Sequence, residues 1–371
     1  MVASHMRSLD ILRGVAASGV FLGHFVRQYF PDDHDSVAFQ LIDRLGVIGV
    51  AVFFVLSGFL IHAGGLRELQ RGASIDWMAY ARRRFYRIYP AYLVAVVVYA
   101  LLAAHLPSNY TSPGTTLGVI SHLLLFSNFV PGEMHSINGV LWTVVIECHF
   151  YMLYPVFVWL IARWPIGRVL ALTVFLGTLF FAAATVLTQP GEIRTLAQQA
   201  APAVFWKWAL GAVIAEMLIN HRLPGIIPWL KRAWLLPVVV ALIYLGVFLK
   251  GGAIELHHHR FVLPFLCAWL VGLFVFSDLS GWRSVWGEWL GEVSYSIYLW
   301  HPLAIAVTLA LAPGGIALSA ILATLLTGLF AAVCYHAIER PFMRMGHKAA
   351  SKGPTFRKQA KRSRGPGSAR T

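Results

Sequence analysis

Residues 45–66, LGVIGVAVFFVLSGFLIHAGGL, contain no Asp, Glu, Lys or Arg. At 1.5 Å of rise per helical residue, a segment of this length crosses the roughly 30 Å hydrocarbon core of a bilayer. Similar apolar blocks occupy about 10–30, 88–106, 139–162, 167–187, 203–220, 234–250, 261–277, 293–312 and 315–337. The stretch 117–131 is apolar but short, and is expected to lie at the interface or to re-enter. Over the whole chain of 371 residues, 58% are hydrophobic and 12% charged, with a mean hydropathy of +0.67. A soluble domain carries about 25% charged residues, and half that supply cannot cover a water-soluble fold of this length. The expectation is an all-α, polytopic transmembrane helix bundle of about ten helices. A soluble enzyme and a nucleic-acid binder are excluded.

The formal net charge of +14 fits this reading once its distribution is considered. Lys and Arg lie in short loops and in the tail, with no aromatic-interleaved basic face, so the charge reads as topology. Ten spans put both termini on one side, and that side carries 24 of the 30 Lys and Arg residues. The loop 107–138 has none, and the acidic loop 31–43 lies opposite. Cytoplasmic N- and C-termini follow from the excess of positive charge. Residues 1–6 read as an expression remnant, 7–345 as the membrane domain, and 346–371 as a basic, Gly/Pro/Ser-rich cytoplasmic tail expected to be disordered. Arg13 and His24 in the first apolar block, with no small-residue cleavage site, predict a retained helix rather than a signal peptide. Cys148, Cys267 and Cys334 fall in apolar stretches without metal or redox spacing and read as buried thiols.

Charges inside spans are costly and therefore mark candidate sites. Arg13 and His24 are eleven residues apart, close to three helical turns, so they share a face about 16 Å from end to end. Asp10, three residues before Arg13, is positioned to pair with it. In the segment 81–90, ARRRFYRIYP, Arg84 and Arg87 share a helix face and suit a phosphate or pyrophosphate. Arg82 and Arg83 are explained well as positive charge flanking a span. Pro90 suits the first turn of the third helix. Glu147, a third of the way into its span, needs a partner or a proton; His149, two residues on, points away from it. The segment 294–302, SYSIYLWHP, adds hydroxyls, rings and His301. His257, His258 and His259 beside Glu255 point in different directions and make a poor metal site, so no metal is expected.

These ordered motifs resemble acyltransferase family 3, the bacterial membrane proteins that O-acylate sugars, polysaccharides and some small natural products. The likeness runs from Leu9 to about Phe342. LDILRGVA at 9–16 followed by His24 is similar to the family's first helix, and GVAVFFVLSGFLI at 49–61 to its second. RFYRIYP at 84–90 resembles the cytoplasmic arginine motif, 142–151 the tryptophan-to-glutamate segment, and 294–301 the late SYSLYLWH helix. Cys148 and His149 depart from the usual Glu and Gln. No SGNH-type esterase domain follows in the sequence, so acceptor chemistry is expected within the helices or with a separate partner.

The resemblance implies a multi-pass protein of the cytoplasmic (inner) membrane that moves an acyl group, most often acetyl, from acyl-CoA to a hydroxyl of a glycan or glycoconjugate. His24, Glu147, Arg13 and Asp10 would form the catalytic set. Arg84, Arg87 and Arg83 would hold the CoA phosphates, and Trp142, Tyr151, Tyr298 and His301 would contact substrate. A neutral imidazole at His24 suits a general base or an acyl-carrying nucleophile. Acyl-CoA, the glycan acceptor and membrane lipid are the expected partners. The alternative is a proton-coupled transporter with His24 and Glu147 as the relay. A membrane-bound O-acyltransferase of the lipid- and peptide-modifying type would need an Asn and a late-helix His spacing that the chain lacks.

Overall fold

Helix starts follow local capping. Asp76 accepts the backbone N–H of Ala79 at 2.9 Å, Thr115 that of Gly118 at 2.8 Å, and Ser36 that of Phe39 at 3.4 Å, each satisfying a donor that a helix leaves orphaned. A computed structural model of the chain describes residues 6–33, 35–72, 74–106, 112, 114–220, 254–276, 285–311 and 314–351, with backbone only at 103, 254–260, 276 and 351. In chain order the helices are α1 (Arg7–Tyr29), α2 (Val37–Gln70), α3 (Trp77–Leu102), α4 (Thr116–Leu123), α5 (Leu141–Ile161) and α6 (Ile166–Leu187). They continue with α7 (Glu192–Gln199), α8 (Ala201–Ile219), α9 (Ile254–Phe276), α10 (Val285–Glu292), α11 (Ser294–Leu311), α12 (Ile316–Cys334) and α13 (Arg340–Ser351). No strand occurs among the described residues.

Eight helical segments among the described residues are long and apolar enough to cross a membrane, and the protein is a multi-pass, all-α membrane bundle. They coincide with eight of the ten expected spans. The expected span 261–277 falls on α9, and 234–250 lies outside the described residues, as do 1–5, most of the loops 221–233 and 278–288, and 352–371. The side chains of Glu255 and of His257–His259 are also outside them. The boundary drawn at 345 falls inside α13, which is helical to Ser351. The stretch 117–131 is α4 followed by a 3₁₀ turn over Ser127–Phe129.

One boundary differs in a way that matters. The arginine motif and Pro90 do not lie at the first turn of the third helix; α3 begins at Trp77 under its Asp76 cap and runs through Pro90. Hydropathy registers only the apolar half of such a helix, whereas the backbone continues into the polar half. Pro90 interrupts one backbone hydrogen bond, which membrane helices tolerate where neighbours re-satisfy the carbonyl. The consequence is that Arg84 and Arg87 stand on the body of a helix packed into the bundle.

Burial divides the helices into an inner and an outer set. The most apolar stretches of α1 and α11 are 72% buried, against 22% for α6. The α2–α8 contact is the closest. A Cβ at Gly58 would collide with the Trp208 carbonyl oxygen, and one at Gly211 with that of Val55. Small residues that let two backbones touch are how membrane helices gain packing without a hydrophobic drive. At the far end, α12 passes through a π-helical turn, Tyr335–Glu339, into α13. That turn shifts the helical register and buries Glu339 at 1% exposure. α13 then packs along α3: Phe342 stacks on Tyr86 at 6.3 Å, and Arg82 donates to the Ala349 carbonyl at 3.3 Å.

Candidate active site

Two cavities stand back to back in the bundle. The smaller, about 100 Å³, is walled by Arg13 of α1, Ser57 of α2, Arg84 and Arg87 of α3, Glu147 and Tyr151 of α5, and Tyr295 and Tyr298 of α11. The larger, about 590 Å³, holds His24 and Arg27 of α1, Asp43 of α2, His135, Trp142 of α5, and Gln198, Trp206 and Lys207 of α7 and α8. Val50, Phe54 and Tyr298 line both. The partition is therefore one side chain thick at those positions.

In the small cavity, two of the three guanidiniums are anchored by carboxylates. Arg13 contacts Asp10 at 3.4 Å and Arg87 contacts Glu339 at 3.5 Å. Ser296 donates to the other Glu339 oxygen at 2.9 Å. Glu147 accepts the Tyr151 hydroxyl at 2.6 Å, one helical turn along α5. Arg84 differs. Its guanidinium carbon lies 5.6 Å from the Tyr151 ring centre and 5.8 Å from that of Tyr80, within cation–π range. It makes no ion pair among the described residues, and its Nε is buried without a hydrogen bond. The Ser57 hydroxyl, also on this wall, is buried and unpartnered. Unsatisfied donors among three guanidiniums are chemically suited to an anion, because buried polar groups left unmade are costly.

In the large cavity, Arg27 forks Asp43 through Nε and a terminal nitrogen at 2.9 and 2.8 Å. His24 Nδ1 lies 2.7 Å from His301 Nε2, and the rings stack at 5.0 Å. His301 is fully enclosed, with Nδ1 3.1 Å from the Ile297 carbonyl. The Tyr298 hydroxyl, between the cavities, pairs with Thr143 at 2.7 Å and donates to the Val140 carbonyl at 3.2 Å. Outside the spans, burial lowers the His122 pKa to about 4, while its Nε2–H donates to the Glu133 carbonyl at 3.1 Å. Burial lowers that of His135 too.

The sequence-predicted residues thus divide between the cavities. Arg13, Arg84, Arg87, Glu147 and Tyr151 converge on the small one, and His24 and Trp142 on the large one. Glu147 and His24 are not brought together: Glu147 turns to Tyr151 within its own helix. Asp10 sits behind Arg13 and lines neither cavity. Arg83 also lines neither. It pairs with Glu68 at 2.9 Å at the periphery, because a residue adjacent to Arg84 on a helix points about 100° away. His301 lines neither cavity and hydrogen-bonds His24 instead. His149 bonds the Leu125 carbonyl at 2.9 Å, away from Glu147. The three cysteines are free thiols, two of them buried and Cys148 partly so.

Sequence reading missed Ser57, Glu339 and a buried group in which His62 bridges Glu216 at 3.1 Å and the Tyr154 hydroxyl at 3.3 Å. Glu339 precedes Arg340, so in sequence it looks self-paired; only the π turn aims it at Arg87. His62 and Glu216 were legible as polar groups within apolar blocks, but 154 residues separate them. Among the described residues no group of three His, Cys, Asp or Glu is placed to hold a metal ion.

Comparison with known proteins gives this geometry a context. Residues 6–337 match a family described as an acyltransferase domain. The chain is 33% identical over 166 residues to the acyltransferase MdmB of Streptomyces mycarofaciens, covering 43% of this chain and 41% of that protein. It is 25% identical over 288 residues to the peptidoglycan O-acetyltransferase OatA of Listeria monocytogenes, covering 71% and 45%. With nodulation protein 10 of Rhizobium leguminosarum bv. viciae it shares 26% over 371 positions, 92% of this chain and 95% of the other. The chain spans less than half the length of the first two of these relatives. No solved structure matches it. A family match reaching from residue 6 to residue 337, over a helix bundle whose arginine and histidine motifs line paired cavities, places the chain in acyltransferase family 3.

Proposed function

We propose that the protein is an integral-membrane O-acyltransferase, moving an acyl group (acetyl as the simplest case) from acyl-CoA to a hydroxyl of a glycan, glycolipid or related acceptor. One observation carries the reading: an arginine-walled cavity and a histidine-bearing cavity share a partition at Val50, Phe54 and Tyr298. Guanidiniums suit the phosphates of CoA because their planar forks match phosphate oxygens. The small cavity has room for a few water-sized groups, so the nucleotide lies largely outside it, with Arg84 and Arg87 gripping phosphate and Arg13 facing the acyl end. The large cavity has the volume of a small-molecule site. The indole of Trp142 offers a flat face to a sugar ring, while Gln198 and the Arg27–Asp43 pair offer partners for hydroxyls.

Chemically, the acceptor oxygen attacks the thioester carbonyl as its proton passes to the His24 imidazole. The C–S bond breaks, and the CoA thiolate recovers the proton from His24. In the covalent variant, the imidazole attacks the thioester first and the C–S bond breaks to release the CoA thiolate; the acceptor oxygen then takes the acyl group as the C–N bond breaks, its proton passing to the thiolate. Positive charge on the arginine side supports a cytoplasmic small cavity and cytoplasmic termini in the inner membrane. The O-acetyltransferase named among the relatives supports acetyl transfer to a glycan.

The test is His24→Ala and His24→Gln in cells, reading acyl esters on glycans and lipids by mass spectrometry, with CoA binding measured on purified protein. Loss of transfer with CoA binding intact is expected. Loss of a general base alone leaves a rate about 10²–10⁴-fold lower, whereas loss of a nucleophile also removes the acyl-enzyme trapped with labelled donor and no acceptor. A folded His24→Ala protein with near-normal transfer overturns the reading.

A further inference from the structure

His301 lines neither cavity, yet it makes the hydrogen bond that decides which nitrogen of His24 carries the hydrogen. The chain of bonds can be followed from a group of fixed polarity. The Ile297 carbonyl, one turn back on α11, only accepts, so the His301 nitrogen 3.1 Å from it, Nδ1, carries a hydrogen. With a neutral His301, Nε2 is then an acceptor. His24 Nδ1, 2.7 Å from it, must be the donor. A neutral His24 that carries its hydrogen on Nδ1 has its lone pair on Nε2.

We propose that His301 is a positioning residue that holds His24 in the Nδ1–H tautomer, so that Nε2 is the nitrogen that receives the proton or the acyl group. This rests on the role proposed above for His24. The burial of His301 at 0% exposure, between Phe21 at 6.5 Å and Tyr298 at 6.0 Å, fixes the ring that fixes His24. In the transfer step, Nε2 of His24 takes the acceptor hydroxyl proton while the new C–O bond forms. The resulting imidazolium keeps its Nδ1–H bond to His301 Nε2. When the C–S bond breaks, the proton on Nε2 returns to the CoA thiolate and the tautomer is restored. Orientation of a catalytic imidazole through its second nitrogen is a general device, and disrupting the tautomer at such a site lowers kcat rather than binding.

The experiment uses full-length protein in lipid nanodiscs. The ¹⁵N resonances of His24 in histidine-labelled wild type, assigned by loss of signal in His24→Gln, report the tautomer directly. A protonated Nδ1 and an unprotonated Nε2 are expected; the opposite pattern overturns the proposal without any variant. In parallel, His301→Leu removes the acceptor and His301→Gln keeps an amide oxygen near the position of Nε2. The expected result is a fall of at least about tenfold in kcat for His301→Leu, with KM for acyl-CoA within about threefold and most of kcat recovered in His301→Gln. Activity surviving in His24→Ala defeats the underlying role of His24. Activity lost in His24→Ala but unchanged in folded His301→Leu, with the His24 tautomer preserved, defeats the inference about His301 alone.

Discussion

Arg84→Ala is the most informative single change in the small cavity, because this guanidinium holds nothing else together. Arg13 and Arg87 are tied to Asp10 and Glu339, so truncating either leaves a carboxylate stranded. Arg84 has rings of Tyr80 and Tyr151 beside it, no ion pair among the described residues, and an unpartnered Nε. Its removal therefore subtracts interactions with the ligand and little from the fold. One charge-assisted contact to a phosphate is worth about 1.5–3 kcal/mol, which corresponds to a roughly 10- to 150-fold rise in the Kd for CoA at 25 °C. Arg84→Lys keeps the charge but cannot fork two oxygens, so it should recover only part of that loss. Arg83→Ala is the matched control. Its peripheral pair with Glu68, with side chains 24% and 30% exposed, should contribute about 0–1 kcal/mol and leave CoA affinity unchanged. The measurement is isothermal titration of CoA into nanodisc-embedded protein at fixed ionic strength. An Arg84→Ala variant that binds CoA as wild type does, beside an equally unaffected Arg87→Ala, would reduce the cavity's arginines to topology signals.

Two further outcomes follow from the same geometry. Arg87→Met should destabilise the protein by about 3–5 kcal/mol, because Glu339, with a fully enclosed side chain, is left without its ion-pair partner. Adding Glu339→Gln should restore most of the thermal midpoint in detergent but not CoA binding, and a double variant no more stable than the single one would refute the pairing. Burial holds the His122 pKa at about 4 against an ordinary value near 6.5, so the folded state binds fewer protons than the unfolded one across that interval. Stability contributed by the neutral ring is complete above pH 6.5 and is lost as pH falls toward 4, by up to on the order of 3 kcal/mol. The wild-type and His122→Gln midpoints should therefore diverge in slope across that window, and parallel curves would contradict the burial argument.

Much of the architecture was legible because the cost of placing a polar group in hydrocarbon acts on each segment separately. The uncharged stretch 45–66 is a membrane helix whatever its neighbours are, and Arg13, His24, Arg84, Arg87 and Glu147 stand out because charge and polarity are rare in such segments. Local capping was less visible. Asp76 starts α3 eleven residues before the apolar block does, and that shift moves the arginine motif from the helix's first turn into its body.

What the sequence alone determined is the set of spans and the inventory of polar groups within them, since both depend on short-range composition and helical spacing. Which groups meet was decided by tertiary structure. Arg13 and His24 share a helix face, yet the partition of Val50, Phe54 and Tyr298, supplied by α2 and α11, assigns them to separate cavities. His24 finds His301, 277 positions away, and Arg87 finds Glu339 through a π turn that shifts the helical register. The physical reason is that an intramembrane charge or imidazole must have a partner, but desolvation does not specify which one; the packing of distant helices makes that choice.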